Sequence, residues 1–255
     1  MGNVNTTYFR EVYPKQWLEG RHRRAENASH RRYQALTLAQ LACRDDDHLL
    51  ECGCGSGELL VRLRAQYPHM QLTGVDLGRE SLAWAAQEVL QEGGVTLIEG
   101  DITALPIASE TFDRVLCSSV LWYVPDPYAA IGEMVRVLKP GGRFVFDVRP
   151  PYHITNLLTR GSLALRRAMG RHVPAYSFVS PGALSSFLTT LPVTFEVRGY
   201  FVLLPTQLPV LGAKWGNWAA LSSWLSFEAG RGWAKRLAQK LLVTGTKEAA
   251  PQEPA

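Results

Sequence analysis

The chain has 255 residues, of which 46% are apolar and 20% charged. This composition excludes a wholly disordered protein and allows one large domain with a buried core. The formal net charge is +4, and residues 1–43 hold this whole excess, because they carry seven basic side chains against three acidic ones. The rest of the chain is balanced in charge, so we expect no nucleic-acid partner.

The four cysteines of the chain do not suggest a disulfide framework. Cys52 and Cys54 form a C-x-C pair with no second pair, which is a poor zinc signature. We therefore predict no metal site and interpret these thiols as small side chains packed beside a turn. Because free thiols suit a reducing compartment, and no signal peptide or long apolar run is visible, we expect a cytoplasmic protein.

Residues 1–45 precede the first strand and contain the pattern of an amphipathic helix. The stretch GRHRRAENASHRRYQALTLAQLA places Ala, Tyr and Leu on one side of a helix and Arg and His on the other. A solvated helix face is the ordinary reason for such a pattern. We predict an N-terminal helical cap over 1–45.

From His48 onward, short apolar runs alternate with helical ones. The strand-like runs are HLLEC, MQLTGVD, VTLIEGD, FDRVLCSS and RFVFDV. Strands separated by helices indicate a parallel sheet with right-handed crossovers, so we predict a doubly wound α/β fold. In such folds ligands bind at the carboxyl ends of the strands. One edge of the sheet should therefore carry the glycine-rich turn at 53–57, Asp76, Asp101 and Ser118.

The regular alternation stops after Val148. Residues 150–180 read as a loop and a basic helix, followed by a short helix in PGALSSFLTTL and strands in VTFEVRGYFVLL and KLLVTGTK. Residues 205–236 hold four of the seven tryptophans and form an insertion between these strands. Their spacing predicts an apolar helical stripe, which would be core, a lid over the substrate, or a membrane-surface helix. We expect residues 248–255 to be disordered.

The stretch LLECGCGSGELL raises the question of why one turn needs three glycines. Gly53, Gly55 and Gly57 follow G-x-G-x-G, whereas a dinucleotide site prefers G-x-G-x-x-G, and the Lys-Ser/Thr of a P-loop is absent. Acidic residues end three successive strands: Glu51, Asp76 and Asp101. Each could be an ordinary strand-end or cap residue, but together they favour a cationic nucleoside over a pyrophosphate.

These stretches resemble the class I S-adenosylmethionine-dependent methyltransferases, in the small-molecule branch. The similar segments, in order, are LLECGCGSGEL, LTGVDLGRESLAWA, EGDITALPIASETFDRVLCSSVLWYVPDP and EMVRVLKPGGRFVFDV. The resemblance implies a Rossmann-like sheet of seven strands, the last antiparallel, within a domain at 46–247. It implies S-adenosylmethionine as cofactor, with contacts from Glu51, Gly53, Gly55, Asp76, Leu77, Asp101, Ile102 and Ser118.

The catalytic residues are less clearly indicated. The family often has His shortly after the fourth strand, where this chain has Leu121-Trp122-Tyr123. The candidates for a general base are therefore Tyr123, His153 and His22. The run RPPYH is similar to the N/D-P-P-Y motif of amino-methylating enzymes, but it follows the fifth strand and begins with Arg149, which cannot accept a hydrogen bond.

We predict an enzyme that methylates a small, partly apolar metabolite or a lipid-linked acceptor on oxygen, nitrogen or carbon. The alternatives are an NAD(P)-binding oxidoreductase of Rossmann type and an inactive module that binds S-adenosylmethionine. Residues 205–236 are the predicted place of a peripheral membrane contact. The protein is expected to be a monomer or a homodimer.

Overall fold

The computed structural model describes residues 28–89, 93–170, 176–202, 226–229 and 238–249. His22 and most of residues 1–45 and 205–236 lie outside these ranges. The described elements follow in chain order: α1 (Ala28–Leu41), β1 (His48–Cys52), α2 (Glu58–Gln66), β2 (Gln71–Asp76), α3 (Arg79–Val89), β3 (Val95–Glu99), β4 (Phe112–Cys117), a 3₁₀ turn (Leu121–Tyr123), α4 (Pro127–Val137), β5 (Leu138–Val148), α5 (Ile154–Ala168), α6 (Pro181–Leu188), β6 (Val193–Val202), β7 (Ser226–Ala229) and β8 (Lys240–Lys247).

The strands form one sheet in the order β3-β2-β1-β4-β5-β8-β6-β7. β1 to β5 are parallel to one another, and β8 lies antiparallel between β5 and β6. The doubly wound α/β fold, with its seven strands and an antiparallel last strand, is therefore confirmed.

The eighth strand is a difference from the sequence prediction. β7 falls inside the stretch 205–236, which was predicted to be helical, so that prediction is wrong for residues 226–229. These four residues pair antiparallel with the end of β6. The physical reason is that the outer edge of β6 leaves backbone groups unpaired, and a short strand satisfies them. The remainder of the predicted insertion lies outside the described residues.

Side chains alternate between the two faces of the sheet and build a core on each. Leu49 packs on the face covered by α1, α2 and α3, whereas Leu50 packs on the opposite face, covered by α4 and α6. Both are fully buried. A doubly covered sheet explains why the strands read as continuous apolar runs.

The strand order reverses direction between β1 and β4, which are adjacent in the sheet. The loops after these strands therefore leave in opposite directions and open a crevice at the carboxyl edge. Such a switch point is where ligands bind in open α/β sheets. The glycine turn follows β1 at this point, and the 3₁₀ turn at Leu121–Tyr123 follows β4.

Helix α4 begins with a strong capping arrangement. The Asp126 carboxylate accepts the backbone N–H groups of Tyr128 and Ala129, each at 3.0 Å, and Pro127 occupies the first helical position. Aspartate at this position satisfies donors that the helix itself leaves unpaired. The cap fixes the start of a helix whose inner face carries Ile131 and Met134 into the core.

We predict that Asp126→Ala lowers the free energy of unfolding by about 1 kcal/mol, because two backbone donors lose their acceptor. Asp126→Asn keeps a capping oxygen and should stay within a few tenths of a kcal/mol of the wild type. Urea denaturation followed by circular dichroism measures both. Equal stability of the two variants would contradict a capping role.

Candidate active site

The glycine-rich turn after β1 needs glycine for two separate reasons. Gly53, Gly55 and Gly57 all have positive φ, at 75°, 55° and 76°, a region that other residues rarely occupy. A Cβ added at Gly53 would also lie 2.5 Å from Cγ2 of Val120. The turn therefore brings its backbone close to the loop after β4, and it leaves no room for side chains between them.

Asp76 holds the glycine turn in place. Its carboxylate accepts the N–H of Gly55 and the N–H of Gly78, both at 2.8 Å. Burial raises the pKa of Asp76, while these backbone N–H groups oppose that rise. The structure thus brings the end of β2 and the turn after β1 into direct contact, as the strand order requires.

Glu51, the fourth residue of β1, is a buried acid whose Oε2 atom has no hydrogen-bond partner among the described residues. Burial raises the pKa of Glu51 well above its usual value, and the nearby Asp76 and Glu58 raise it further. An orphaned buried acceptor is costly unless a donor reaches it. A cationic donor such as the ammonium group of S-adenosylmethionine would satisfy this atom. The residues present therefore fit the cofactor that the sequence resemblance implies.

The other predicted cofactor residues line the same edge. Leu77 follows β2 and is half-buried, Ile102 is buried, and Ser118 follows β4 and is half-buried. Asp101 is exposed, and its Oδ1 accepts the N–H of Thr103 at 2.9 Å and the Thr103 hydroxyl at 2.8 Å. Thr103 thus orients the Asp101 carboxylate at the end of β3.

A buried polar cluster occupies the edge next to β4, and its centre is Asp147. This carboxylate is 1% exposed and accepts three hydrogen bonds: from the Ser119 N–H at 2.6 Å, the Tyr33 hydroxyl at 2.7 Å and the Lys240 Nζ at 2.9 Å. Lys240 also donates to the Ser119 Oγ at 2.9 Å. Burial lowers the pKa of Lys240, and the adjacent Asp147 counteracts that shift. The cluster joins α1, β5, β8 and the loop after β4.

Two cations lie against the ring of Trp122. The Arg149 Cζ is 4.1 Å from the ring centre and the Lys240 Nζ is 4.8 Å from it. The Trp122 indole Nε1 and the Arg149 Nε are both buried and have no hydrogen-bond partner among the described residues. Lys240 is paired with Asp147, whereas Arg149 forms no ion pair within the described part of the chain. This part of the site therefore offers donors and positive charge that no described side chain satisfies.

Of the predicted base candidates, the structure describes two. Tyr123 lies in the 3₁₀ turn, half-buried, with its ring 5.6 Å from that of Trp122 and 5.3 Å from that of Tyr176. His153 is buried just before α5, and burial lowers the pKa of its imidazole. His22 lies outside the described residues.

Sequence reasoning missed four residues of this edge: Tyr33, Asp147, Arg149 and Lys240. Asp147 carried a usable signal, because a carboxylate inside the apolar run RFVFDV must have partners if the strand is buried. Arg149 begins the run RPPYH, whose departure from the N/D-P-P-Y motif gives no indication of a binding role. Lys240 and Tyr33 are 93 and 114 residues from Asp147, so only the tertiary structure reveals their contact.

The cysteines behave as packing side chains in the described structure. Burial raises the pKa of Cys52, Cys54 and Cys117, so these thiols stay protonated. Within the described ranges, no three His, Cys, Asp or Glu side chains are grouped as metal ligands.

We predict that Glu51 makes stability depend on pH. Its pKa is raised in the folded state, so the folded protein holds a proton that the unfolded chain has already released. Stability should therefore fall as pH rises from the unfolded-state pKa through the folded-state one. Glu51→Gln removes this dependence and should be the more stable form at high pH. Thermal melts from pH 5 to 9 measure the difference, and parallel curves for the two proteins would contradict the prediction.

Comparisons with known proteins agree with this geometry. Residues 50–146 match the family model described as a methyltransferase domain. The ubiquinone/menaquinone biosynthesis C-methyltransferase UbiE of Syntrophotalea carbinolica is 33% identical over 181 residues, covering 69% of this chain and 74% of that protein. The demethylmenaquinone methyltransferase of Lactiplantibacillus plantarum is 34% identical over 122 residues, covering 46% of this chain and 51% of that protein.

A solved structure extends the similarity to almost the whole chain. An S-adenosylmethionine-dependent methyltransferase from Thermotoga maritima superposes with a TM-score of 0.65 at 19% identity, covering 96% of this chain and 100% of that one. The N-methyltransferase NodS from Bradyrhizobium japonicum, solved with S-adenosylhomocysteine, superposes with a TM-score of 0.55 at 21% identity, covering 88% and 90%. At these identities the likeness shows the fold.

These findings decide between the alternatives that the sequence left open. The glycine turn, the acidic strand ends and the UbiE relative, 74% of which is matched, indicate the same enzyme class and the same cofactor, S-adenosylmethionine. They reject the alternative of a nicotinamide-dependent dehydrogenase. The chain belongs to the class I S-adenosylmethionine-dependent methyltransferases.

Proposed function

We propose that this enzyme methylates a small, flat, partly apolar acceptor that carries ring oxygens, of the quinol type. The observation that carries the proposal is the pair of buried, unpartnered donors beside the two cations at Trp122. The other residues of the carboxyl edge then divide into a cofactor half, at β1 to β3 together with Ser118, and an acceptor half, at the rest of the loop after β4, β5 and β8.

The unpartnered atoms specify the polar part of the acceptor. The Trp122 Nε1 and the Arg149 Nε can only donate hydrogen bonds, and leaving such a buried group unsatisfied costs about 1–3 kcal/mol. Ligand oxygens that reach these atoms would satisfy them. Because Arg149 is cationic and without an ion pair among the described residues, an oxygen with negative charge is favoured.

The aromatic side chains specify the apolar part. Trp122, Tyr123 and Tyr176 form a chain of ring contacts beside the donors. The backbone of 176–179 runs along this edge, because the Ser177 N–H donates to the Trp122 carbonyl and the Val179 N–H to the Arg149 carbonyl. Aromatic walls of this kind suit a flat ring system.

The names of two relatives support the same acceptor class. UbiE of Syntrophotalea carbinolica and the Lactiplantibacillus plantarum enzyme are named for ubiquinone and menaquinone biosynthesis and for demethylmenaquinone. A quinol ring combines a flat apolar body with ring oxygens. These two features are complementary to the aromatic side chains and to the hydrogen-bond donors of the acceptor half.

The cofactor half is assigned to S-adenosylmethionine, which supplies an electrophilic methyl group. Glu51, Gly53, Gly55 and Ser118 are proposed to hold its methionyl end. Asp76 and Leu77 are assigned to the ribose and one adenine face, and Asp101 and Ile102 to the adenine amino group and ring. Orientation of this kind supplies much of the acceleration of an in-line methyl transfer.

The acceptor must lose a proton when it gains the methyl group. Tyr123 and His153 are proposed as candidates to accept it, and His153 is neutral near pH 7 because burial lowers its pKa. Arg149 would stabilise the phenolate oxygen that activates the adjacent ring carbon. His22 lies outside the described residues and stays a prediction from the sequence.

We predict that Asp76→Asn weakens binding of S-adenosylhomocysteine ten-fold or more, because a charged acceptor for ligand hydroxyl groups is lost, a contact worth about 1.5–3 kcal/mol. Asp46→Asn, at an exposed carboxylate outside the edge, serves as the control and should bind like the wild type. Titration calorimetry measures both. Equal affinities would remove Asp76 from the site.

We predict that Arg149→Gln and Trp122→Phe each raise the KM for a tail-less hydroquinone about ten-fold, because each deletes one donor to the acceptor oxygen. Cofactor affinity should not change. Arg62→Gln, on α2, removes a guanidinium paired with Glu58 and is the control. Turnover is followed with methyl-labelled cofactor.

Two outcomes would contradict the proposed acceptor. One is a KM that neither variant changes. The other is labelling of RNA or protein, but of no small-molecule or lipid fraction, when the enzyme and labelled cofactor are added to a cell extract.

A further inference from the structure

Helix α5 and the residues next to it expose large apolar side chains to solvent. Six large apolar side chains are exposed among the described residues, and five of them lie between 152 and 169: Tyr152, Leu157, Leu158, Leu165 and Met169. Leu158, Leu165 and Met169 are 58%, 63% and 62% exposed. Such clustering differs from the scattered apolar residues of an ordinary surface.

The helical period shows that these exposed side chains form one stripe. At about 100° per residue, Leu158, Leu165 and Met169 fall within one narrow sector of the helix. Asn156 and Leu163, which are 1% and 9% exposed, fall on the opposite side. The helix therefore contacts the protein through the face that carries Asn156 and Leu163, and it exposes its apolar stripe to solvent.

Charge around the stripe identifies the kind of partner. Arg166 lies about 100° from Leu165 around the helix and so borders the stripe, whereas Arg160 and Arg167 lie on the side opposite the stripe; all three are exposed. The sequence from 149 to 195 contains five arginines and no Asp or Glu. An apolar stripe bordered by Arg166, in a segment that has positive and no negative side chains, is complementary to an anionic lipid surface, where the stripe enters the acyl boundary and the Arg166 guanidinium meets headgroups.

The anchoring of α5 connects this stripe to the active site. Asn156 Nδ2 donates to the carbonyl of Pro150 at 2.7 Å and to that of Gln239 at 3.0 Å. These carbonyls lie just after β5 and just before β8, next to the cluster of Asp147 and Lys240. No helix within the described ranges is long and apolar enough to cross a bilayer.

We propose that α5 is a membrane-surface helix that docks the enzyme on anionic lipid, with Leu158, Leu165 and Met169 inserted and Arg166 at the headgroups. This surface at 154–169 is separate from the membrane contact predicted at 205–236, most of which lies outside the described residues, and it requires no particular acceptor. Its use, admission of a lipid-linked acceptor at the adjacent edge, rests on the proposed function.

The test is flotation of the full chain with vesicles of phosphatidylcholine alone or mixed with phosphatidylglycerol. The wild type should bind the anionic vesicles more tightly. The variant Leu165→Gln/Met169→Gln should bind them at least ten-fold more weakly, and Arg166→Gln about five-fold more weakly. Trp84→Gln, exposed on α3, and Arg79→Gln are the controls for apolar area and for charge, and both should bind like the wild type.

Three results would overturn the proposal. The first is absence of vesicle binding by the wild type, or binding that the double variant does not reduce. The second is a dimer that the double variant converts to monomers while vesicles stay unbound, because a second copy would then cover the stripe. The third is a large fall in melting temperature of the double variant, because another segment of this chain would then cover it.

The vesicle test and the acceptor test fail separately. Vesicle binding without methylation of the hydroquinone leaves the helix assignment standing and contradicts the proposed acceptor. Methylation of the tail-less hydroquinone without vesicle binding does the reverse. Calorimetry with S-adenosylhomocysteine on every variant shows that each is folded at the cofactor half.

Discussion

The carboxylate of Asp147 is the constraint on which the arrangement of this edge depends. A charge that is 1% exposed is tolerated only if it is paired and hydrogen-bonded. Its three donors come from α1, the loop after β4 and the start of β8. Satisfying one buried acid therefore fixes the N-terminal helix, the last strand and the loop that carries Trp122 relative to one another.

The two proposed halves of the edge differ in which polar groups lack a partner among the described residues, and our proposed ligands follow from this difference. The cofactor half ends in acids, and the Glu51 Oε2 has no partner among the described residues, so this half suits a ligand with hydrogen-bond donors and positive charge. The acceptor half ends in donors and cations, and so it calls for oxygen and negative charge. A methyl donor that is a cation and an acceptor that is an anion meet this pattern, because each finds opposite charge at its own side.

Much of the cofactor half could be predicted from the sequence, because its residues follow strand ends at short range. The residue type of Gly53 and Gly55 indicates positive φ and a backbone that lies close to a neighbouring segment, and the position of Asp76 indicates the end of a strand. The acceptor half could not be predicted in the same way. The proposed role of Arg149 depends on its stacking on Trp122, which the sequence does not reveal. The sequence of α5 has the apolar periodicity of a helix that packs its apolar side against the protein, whereas the structure exposes that side.

The sequence by itself determined the α/β alternation and the glycine turn, because these depend on local periodicity and on backbone conformations that favour glycine, and its resemblance to a known family indicated the class of enzyme. The tertiary structure decided which long-range partners satisfy buried charge. It brought Tyr33 and Lys240 to Asp147, and it turned α5 so that Asn156 and Leu163 face the protein. The physical reason is that desolvation and packing act between residues far apart in the chain, where no local pattern records them.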